Sequence, residues 1–226
     1  MQKDEFVSII SHEIKNSLTP IMLACQLLLT DKDATINQKQ KERIEDIMSN
    51  CDRLSELLSD LNDVKKLDMG TMKLKIQDIE SNSLFEKICV NLKDMVESRG
   101  VVLDINVKKS KTISCDVSRI SQVITNIVKN AVDFVPKENG KIIISSDVAD
   151  DGQTLISIED NGIGIPEKHH GTVFEKFHQL VVPPEIKHKG TGLGLAICKG
   201  IIESHGGKIW VAKDYTNGAK FNILLP

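Results

Sequence analysis

Apolar residues early in the chain recur in alternating steps of three and four: Val7, Ile10, Ile14, Leu18, Ile21, Cys25 and Leu28. That spacing forms a coiled-coil type seam and predicts a helix over residues 3–30. Pro20 lies inside it, removes the bond to the Asn16 carbonyl, and predicts a bend. A second seam, Ile44, Ile47, Cys51, Leu54, Leu58 and Leu61, predicts a helix reaching residue 66. The polar stretch 31–37 between them reads as a turn, so the two helices form an antiparallel hairpin. Apolar residues also lie beside each seam, Leu23 and Leu27 on the first helix and Met48, Leu57 and Val64 on the second. The lower half of the first helix is therefore expected to be buried on all sides. One hairpin cannot bury so much; two make a four-helix bundle, so a homodimer is expected. The alternative is a hairpin folded back on its own C-terminal domain.

Past Gly70 the pattern changes to strands and shorter helices. Residues 73–79 alternate apolar and polar, as a strand does. Ser83 and Glu86 read as a capping box opening a helix that ends near Gly100. Strands follow over 101–107 and 112–115, then a helix over 116–134. Residues 141–148 and 154–160 form a hairpin through Asp151-Gly152. An irregular span runs to about Thr191, followed by a helix over 193–205 and strands over 208–213 and 219–225. This order predicts a mixed sheet with helices on one face, an α+β sandwich. Two domains are expected: a helical hairpin over 1–68 and an α+β domain over 69–226.

Composition narrows the setting. A net charge of −3 over 226 residues gives no bulk attraction for nucleic acid. Cys25, Cys51, Cys89, Cys115 and Cys198 form no C-x-x-C pair and read as buried free thiols in a reducing compartment. No apolar run approaches the roughly 20 residues needed to span a bilayer. The chain is expected in the cytoplasm, alone or as the cytosolic part of a membrane-bound sensor whose spanning segments lie elsewhere.

The candidate chemistry begins at His12. At roughly 100° per residue it points nearly opposite the seam, with Asn16 at i+4 on the same face. A surface histidine without a task is the alternative. On the helix over 116–134, Ile120, Val123, Ile124, Ile127 and Ala131 make one face, while Asn126 and Asn130 lie one turn apart on the other. Paired amides suit a hard cation or a phosphate, although an ordinary polar face fits as well. Asp160 ends a strand, where a carboxylate can accept a bond from an exocyclic amine, and Gly162 and Gly164 allow a ring close to the backbone. Gly190, Thr191, Gly192, Leu193 and Gly194 open a helix whose bare N–H groups favour phosphate. The irregular span between them, with Val173 to Gln179 and then Pro183-Pro184, reads as a lid or binding loop. The histidines at 169, 170, 178, 188 and 205 read as surface residues.

Together these segments resemble the sensor histidine kinases of two-component signalling, with a gyrase/Hsp90-like ATP-binding fold. Residues 6–16 resemble the family's H box, Asn126 to Asn130 its N box, and Asp160 to Gly164 its first glycine box. Phe174 to Phe177 resemble its F box, and Gly190 to Gly194 its second glycine box. The five occur in family order along essentially the whole chain.

The resemblance implies a protein-histidine kinase that uses ATP and Mg²⁺, acts as a homodimer, and serves the receiver domain of a response regulator. It makes His12 the phosphoacceptor, Glu13 the base or the group that orients the ring, and Asn16 the group that places a water for dephosphorylating the regulator. It gives Asn126 to Mg²⁺, Asn130 to phosphate or the metal shell, Phe134 to stacking on the base and Asp160 to the adenine amine. It lines the pocket and lid hinge with the glycines and sets Gln179 towards the γ-phosphate. Three positions depart from the pattern. Ser17 stands where proline is usual, Phe134 where tyrosine is usual, and Asp133 where a lysine is common. The Asp133 charge would repel ATP unless metal or Arg119 compensates. A phosphatase-dominant or binding module with weak kinase activity, and a non-kinase ATPase of the same fold, are the alternatives.

Overall fold

The computed structural model describes residues 2–30, 36–107, 111–149, 152–181 and 190–226, with backbone alone for 2–13 and Asn91. The chain divides into two compact units, residues 1–70 and 71–226. Among the described residues no helix is long and apolar enough to cross a membrane.

The first unit is a pair of helices, α1 (Gln2–Thr30) and α2 (Gln38–Asp68). Helix α1 continues through Pro20 without a break in assignment. Helix α2 starts at a capping box: the Asn37 side chain accepts from the Gln40 N–H, and the Gln40 side chain accepts from the Asn37 N–H, both at 2.9 Å. That satisfies two donors at the exposed end of a helix. Leu18, Cys51 and Leu58 form the core of the pair, with Ile14 and Met22 packed on it. Ile21, Leu23, Leu27, Leu28, Ile47, Leu54 and Leu61 remain exposed. The burial expected for Leu23 and Leu27 is therefore not made within one hairpin and rests on the second copy of the expected homodimer. Two helices share a single contact face, so apolar residues on their other faces stay open within one hairpin.

In the second unit, strand β1 (Gln77–Glu80), helix α3 (Ser81–Glu97), and strands β2 (Val102–Val107) and β3 (Thr112–Cys115) precede helix α4 (Val117–Phe134). Strands β4 (Lys141–Val148) and β5 (Thr154–Asp160), helix α5 (Gly194–Ser204), and strands β6 (Lys208–Val211) and β7 (Lys220–Leu225) follow. Five strands form one sheet in the order β2-β4-β5-β7-β6, with β2 parallel to β4 and the remaining pairs antiparallel. Alternate residues Ile142, Ile144, Ile156, Ile158, Phe221 and Ile223 are buried, and α4 buries Ile120, Val123, Ile124, Ile127, Val128 and Ala131. This is the expected α+β sandwich. Strands β1 and β3 pair separately as a two-stranded ribbon.

Two local expectations are corrected. The strand expected over 73–79 is paired only from Gln77, because its partner β3 is four residues long and ends at Cys115. Upstream of that pairing, the Lys75 N–H turns to Asp116 Oδ2 at 2.8 Å. Helix α3 also begins before the Ser83 capping box, at Ser81, with Glu80 giving no side-chain cap. The fully buried Ser81 donates its N–H to the Lys111 carbonyl, and its hydroxyl accepts from the Lys111 N–H. A tertiary bond has replaced the local cap and moved the start of the helix.

Asp116 caps α4. Its Oδ1 accepts from the Ser118 N–H, the Arg119 N–H and the Ser118 hydroxyl. Burial opposes its ionisation, but the bonds from Ser118, Lys75 and Arg119 outweigh burial and lower its pKa. Asp116→Ala is expected to cost about 1–2 kcal/mol, the range for a lost N-cap. With the folded pKa depressed, the stabilisation is present above the unfolded carboxylate value of about 3.9 and is lost as pH falls below it. Urea titrations of parent and Asp116→Asn should therefore diverge at neutral pH and converge in acid; a gap independent of pH would refute the assignment.

Candidate functional site

Helix α4 packs along α5. Asn126 and Asn130 are half-buried on the polar stripe of α4, opposite the helix's core residues. The Asp116 N–H donates to His205 Nε2 at 3.0 Å, Cys198 Sγ donates to the Val123 carbonyl at 3.7 Å, and a methyl on Gly194 would sit 3.8 Å from Asn126 Nδ2. Moving along α4 from Asp116 to Val123 to Asn126, the partners run back along α5 from His205 to Cys198 to Gly194. The two helices are thus antiparallel, and the glycine-rich start of α5 abuts the Asn126 amide. Positions far apart in sequence meet at one end of the helix pair.

Asp160 closes β5 with 6% of its surface exposed. Its Oδ1 accepts from the Gly162 N–H at 2.9 Å and the Ala219 N–H at 3.1 Å, which leaves Oδ2 as the carboxylate's other acceptor. Burial raises its pKa, and the bonds from Ala219 and Gly162 oppose that rise without cancelling it. A methyl on Gly162 would lie 2.7 Å from the Phe134 carbonyl, so glycine is required to bring the end of α4 against the Asp160 turn. Gly218 is held more tightly: a methyl there would fall 2.0 Å from the Asp160 carbonyl. The β6–β7 turn thus buttresses the carboxylate, a role that sequence reasoning missed. Asn161 was missed as well. It accepts from the Lys141 N–H and donates to the Asn139 carbonyl, both at 2.7 Å, clamping the turn to the start of β4.

The residues flanking 182–189, which lie outside the described residues, are drawn together. The Phe177 N–H donates to the Gly192 carbonyl at 2.8 Å, and Gln179 Nε2 donates to the Gly190 carbonyl at 2.8 Å. Phe177 sits at φ 62°, an uncommon conformation for a bulky residue. The residue is 70% exposed, whereas Phe174 is buried edge-on against Phe221. Thr191 Oγ1 accepts from the Leu193 N–H at 3.0 Å, and Leu193 is buried beneath the start of α5.

Asn16 is exposed on α1, while the side chains of His12 and Glu13 lie outside the description. Several histidines expected merely at the surface have definite partners. His205 bonds as above, His170 Nε2 pairs with the Ile165 carbonyl at 2.8 Å, and the rings of His169 and His178 lie 5.4 Å apart. Short helical turns over 167–169 and 172–174 fold this segment tightly enough to bring them together. His188 falls outside the described residues. Among the described residues no group of three or more histidine, cysteine, aspartate or glutamate side chains could hold a metal.

Asp133 is exposed beside Phe134. Arg119 cannot offset its charge, because the two are separated by roughly 20 Å along α4 at 1.5 Å per residue. Arg119 instead donates to Gln122 Oε1 at 2.8 Å. Arg99 and Lys137 line with Asp133 and Phe134 a cleft of about 920 Å³, and Lys129 lies one helical turn before Asp133.

The raised pKa of Asp160 carries a stability consequence. A folded value above the unfolded one means stability is fullest below about pH 3.9 and falls as pH rises through the folded value. Asp160→Asn keeps an acceptor for Gly162 and Ala219 while removing the charge. It should unfold at higher urea than the parent at pH 7, with the gap closing towards pH 4. Identical midpoints at pH 7 would contradict this.

Comparison with known proteins agrees with the geometry. Residues 2–70 match the family model of the His Kinase A (phospho-acceptor) domain, and residues 115–226 match that of the histidine kinase-, DNA gyrase B- and HSP90-like ATPases. The chain is 32% identical over 222 residues to cyanobacterial phytochrome B of Nostoc sp., covering 98% of this chain and 29% of that protein. It is 30% identical over 226 residues to the sensor protein SrrB of Staphylococcus aureus, covering 99% of this chain and 38% of that protein. It therefore spans well under half the length of these relatives. Among solved structures, full-length ShkA in complex with AMPPNP shares the fold, with a TM-score of 0.79 at 23% identity over 98% of this chain and 45% of that one. The catalytic domain of the histidine kinase ThkA is 31% identical with a TM-score of 0.58, covering 67% of this chain and 95% of that domain. A phosphoacceptor-type helical pair followed by this ATP-binding fold, matched along nearly the whole chain, makes it a member of the sensor histidine kinase family.

Proposed function

We propose that the chain is an ATP-dependent protein-histidine autokinase that phosphorylates His12 and passes the phosphoryl group to an aspartate of a response regulator. The observation that carries this reading is the convergence of the Asn126 amide, the Gly194 helix start, Phe134 and the buried Asp160 carboxylate in one unit. Oδ2 of Asp160 would accept from the adenine amine, and Phe134 would stack on the ring. The N–H groups around Gly190, Gly192 and Gly194 would receive phosphate, as a helix N-terminus favours. Asn126 would hold Mg²⁺ by its amide oxygen, with Asn130 at the phosphates or the metal's outer shell; the bound ion would neutralise phosphate charge. Uncharged amide oxygens fit a cation that keeps its waters and is bridged by phosphates, while the helix N-terminus suits the phosphates themselves.

In the reaction an imidazole nitrogen of His12 attacks the γ-phosphorus, the bond to the β-phosphate oxygen breaks, and ADP leaves. Glu13 accepts or orients the proton of the ring. The resulting phosphorus–nitrogen bond is a good donor to a carboxylate on a second protein, and Asn16, one turn along, would place the water that hydrolyses the regulator's phosphate. ThkA has been crystallised with the response regulator TrrA, and that chain is 26% identical to this one with a TM-score of 0.63. The exposed Ile21, Leu23, Leu27, Ile47, Leu54 and Leu61 on the hairpin support a homodimer, in which a second copy covers them. The reaction belongs in the cytoplasm, where ATP is available.

Incubation with ATP labelled at the γ-phosphate should yield labelled protein stable in base and lost in acid. His12→Gln should abolish the label, and persistence would refute His12 as acceptor. Asp160→Asn should weaken ATP binding at least 10-fold, about the loss of one charge-assisted hydrogen bond, while leaving the protein folded.

A further inference from the structure

His205 lies outside every motif assigned above, yet both its ring nitrogens are engaged. The Asp116 N–H donates to Nε2 at 3.0 Å, and Nδ1 pairs with the Ile201 carbonyl at 2.8 Å. Nε2 is therefore the acceptor and the proton sits on Nδ1, a tautomer fixed by its two bonds. The ring joins the C-terminal end of α5 to the N-terminal end of α4, the end of the pair far from the site.

The remainder of the α4–α5 contact is mainly apolar. Ile197, Ile201 and Ile202 of α5 and Val123, Ile124 and Ile127 of α4 are buried. Apolar burial is non-directional, so it sets the axial position of one helix on the other less sharply than a hydrogen bond does. The weak thiol contact at Val123 adds little direction. The Asp116–His205 bond is a directional contact between the two helices, and it acts on a rigid lever: at the other end of α5, Gly194 lies against Asn126. Asp116 is itself immobilised, since its carboxylate caps α4 and receives the Lys75 N–H.

We propose that His205 is a positioning residue for nucleotide binding: its bond to the Asp116 N–H sets the axial register of α5 on α4, and through it the approach of the Gly194 helix start to the Asn126 amide. This rests on reading the Gly194–Asn126 end as the phosphate end of a nucleotide site. Slippage of α5 would withdraw its N-terminal N–H groups from the phosphates while leaving Asp160 and Phe134 in place.

The test uses the whole chain. ATP affinity is measured by calorimetry, and amide exchange at residues 193–195 by mass spectrometry, for the parent, His205→Ala, His205→Gln and the sheet-core control Ile223→Val. His205→Ala should bind ATP about 5- to 10-fold more weakly, the size of one lost hydrogen bond, and exchange faster at 193–195. His205→Gln, whose amide oxygen can accept the same N–H, should recover most of both. Ile223→Val should lower the urea midpoint while leaving affinity within twofold. If His205→Ala binds within twofold of the parent, or if Ile223→Val weakens binding as much, the proposal is overturned. A parent chain that fails to bind ATP would overturn the nucleotide reading itself, and this proposal with it.

Discussion

The packing of α4 on the five-stranded sheet fixes the roll of that helix, and the candidate site inherits its geometry from that roll. Six apolar side chains from Ile120 to Ala131 are buried on one face. At roughly 1.5–3 kcal/mol for each large aliphatic side chain buried, the face contributes on the order of 10 kcal/mol in favour of one orientation. Turning the helix by one residue would exchange part of that face for Asn126 and Asn130. The polar stripe is thereby kept off the buried face, with Asn126 beside the start of α5.

Around that helix the glycines act by close approach. Gly162 meets the Phe134 carbonyl, Gly192 meets the Phe177 backbone, and Gly218 meets the Asp160 carbonyl. At each of these places a methyl group would collide with backbone, which cannot swing aside as a side chain can. The first and third contacts bind the end of α4, the Asp160 turn and the β6–β7 turn into one frame, and the second ties the start of α5 to Phe177. Within that frame Asp160 is a carboxylate kept at a cost, since burial disfavours its charge. Oδ2 is the acceptor that the bonds from Gly162 and Ala219 leave over, so the charge that costs stability is also the one that the proposed binding of an exocyclic amine would use.

The hairpin obeys a simpler rule. Leu18, Cys51 and Leu58 close one face of the pair, while Ile21, Leu28, Ile47 and Leu54 lie open on others. The seam that looked continuous in sequence is thus divided between a contact made within the chain and a surface left for a further one.

Periodicity alone determined the two long helices, the strands from Val102 to Cys115 and from Lys141 to Asp160, and the apolar face of α4. Those features follow from side-chain spacing, which the chain carries locally. The site motifs were legible for the same reason: Asn126 and Asn130 share a face by helical repeat, and the glycines open α5 by composition. What the sequence could not contain was distance between remote positions. The pairing of Ser81 with Lys111 moved the start of α3, and the short reach of β3 delayed the start of β1 to Gln77. Asp133 proved remote from Arg119 and shares its cleft with Arg99 and Lys137 instead. Gly218, Ala219 and His205 acquired their places beside Asp160 and Asp116 only when β7 and α5 packed. These are long-range contacts, and several have as one partner a backbone N–H or C=O that nearly every residue carries, so residue identity alone could not announce them.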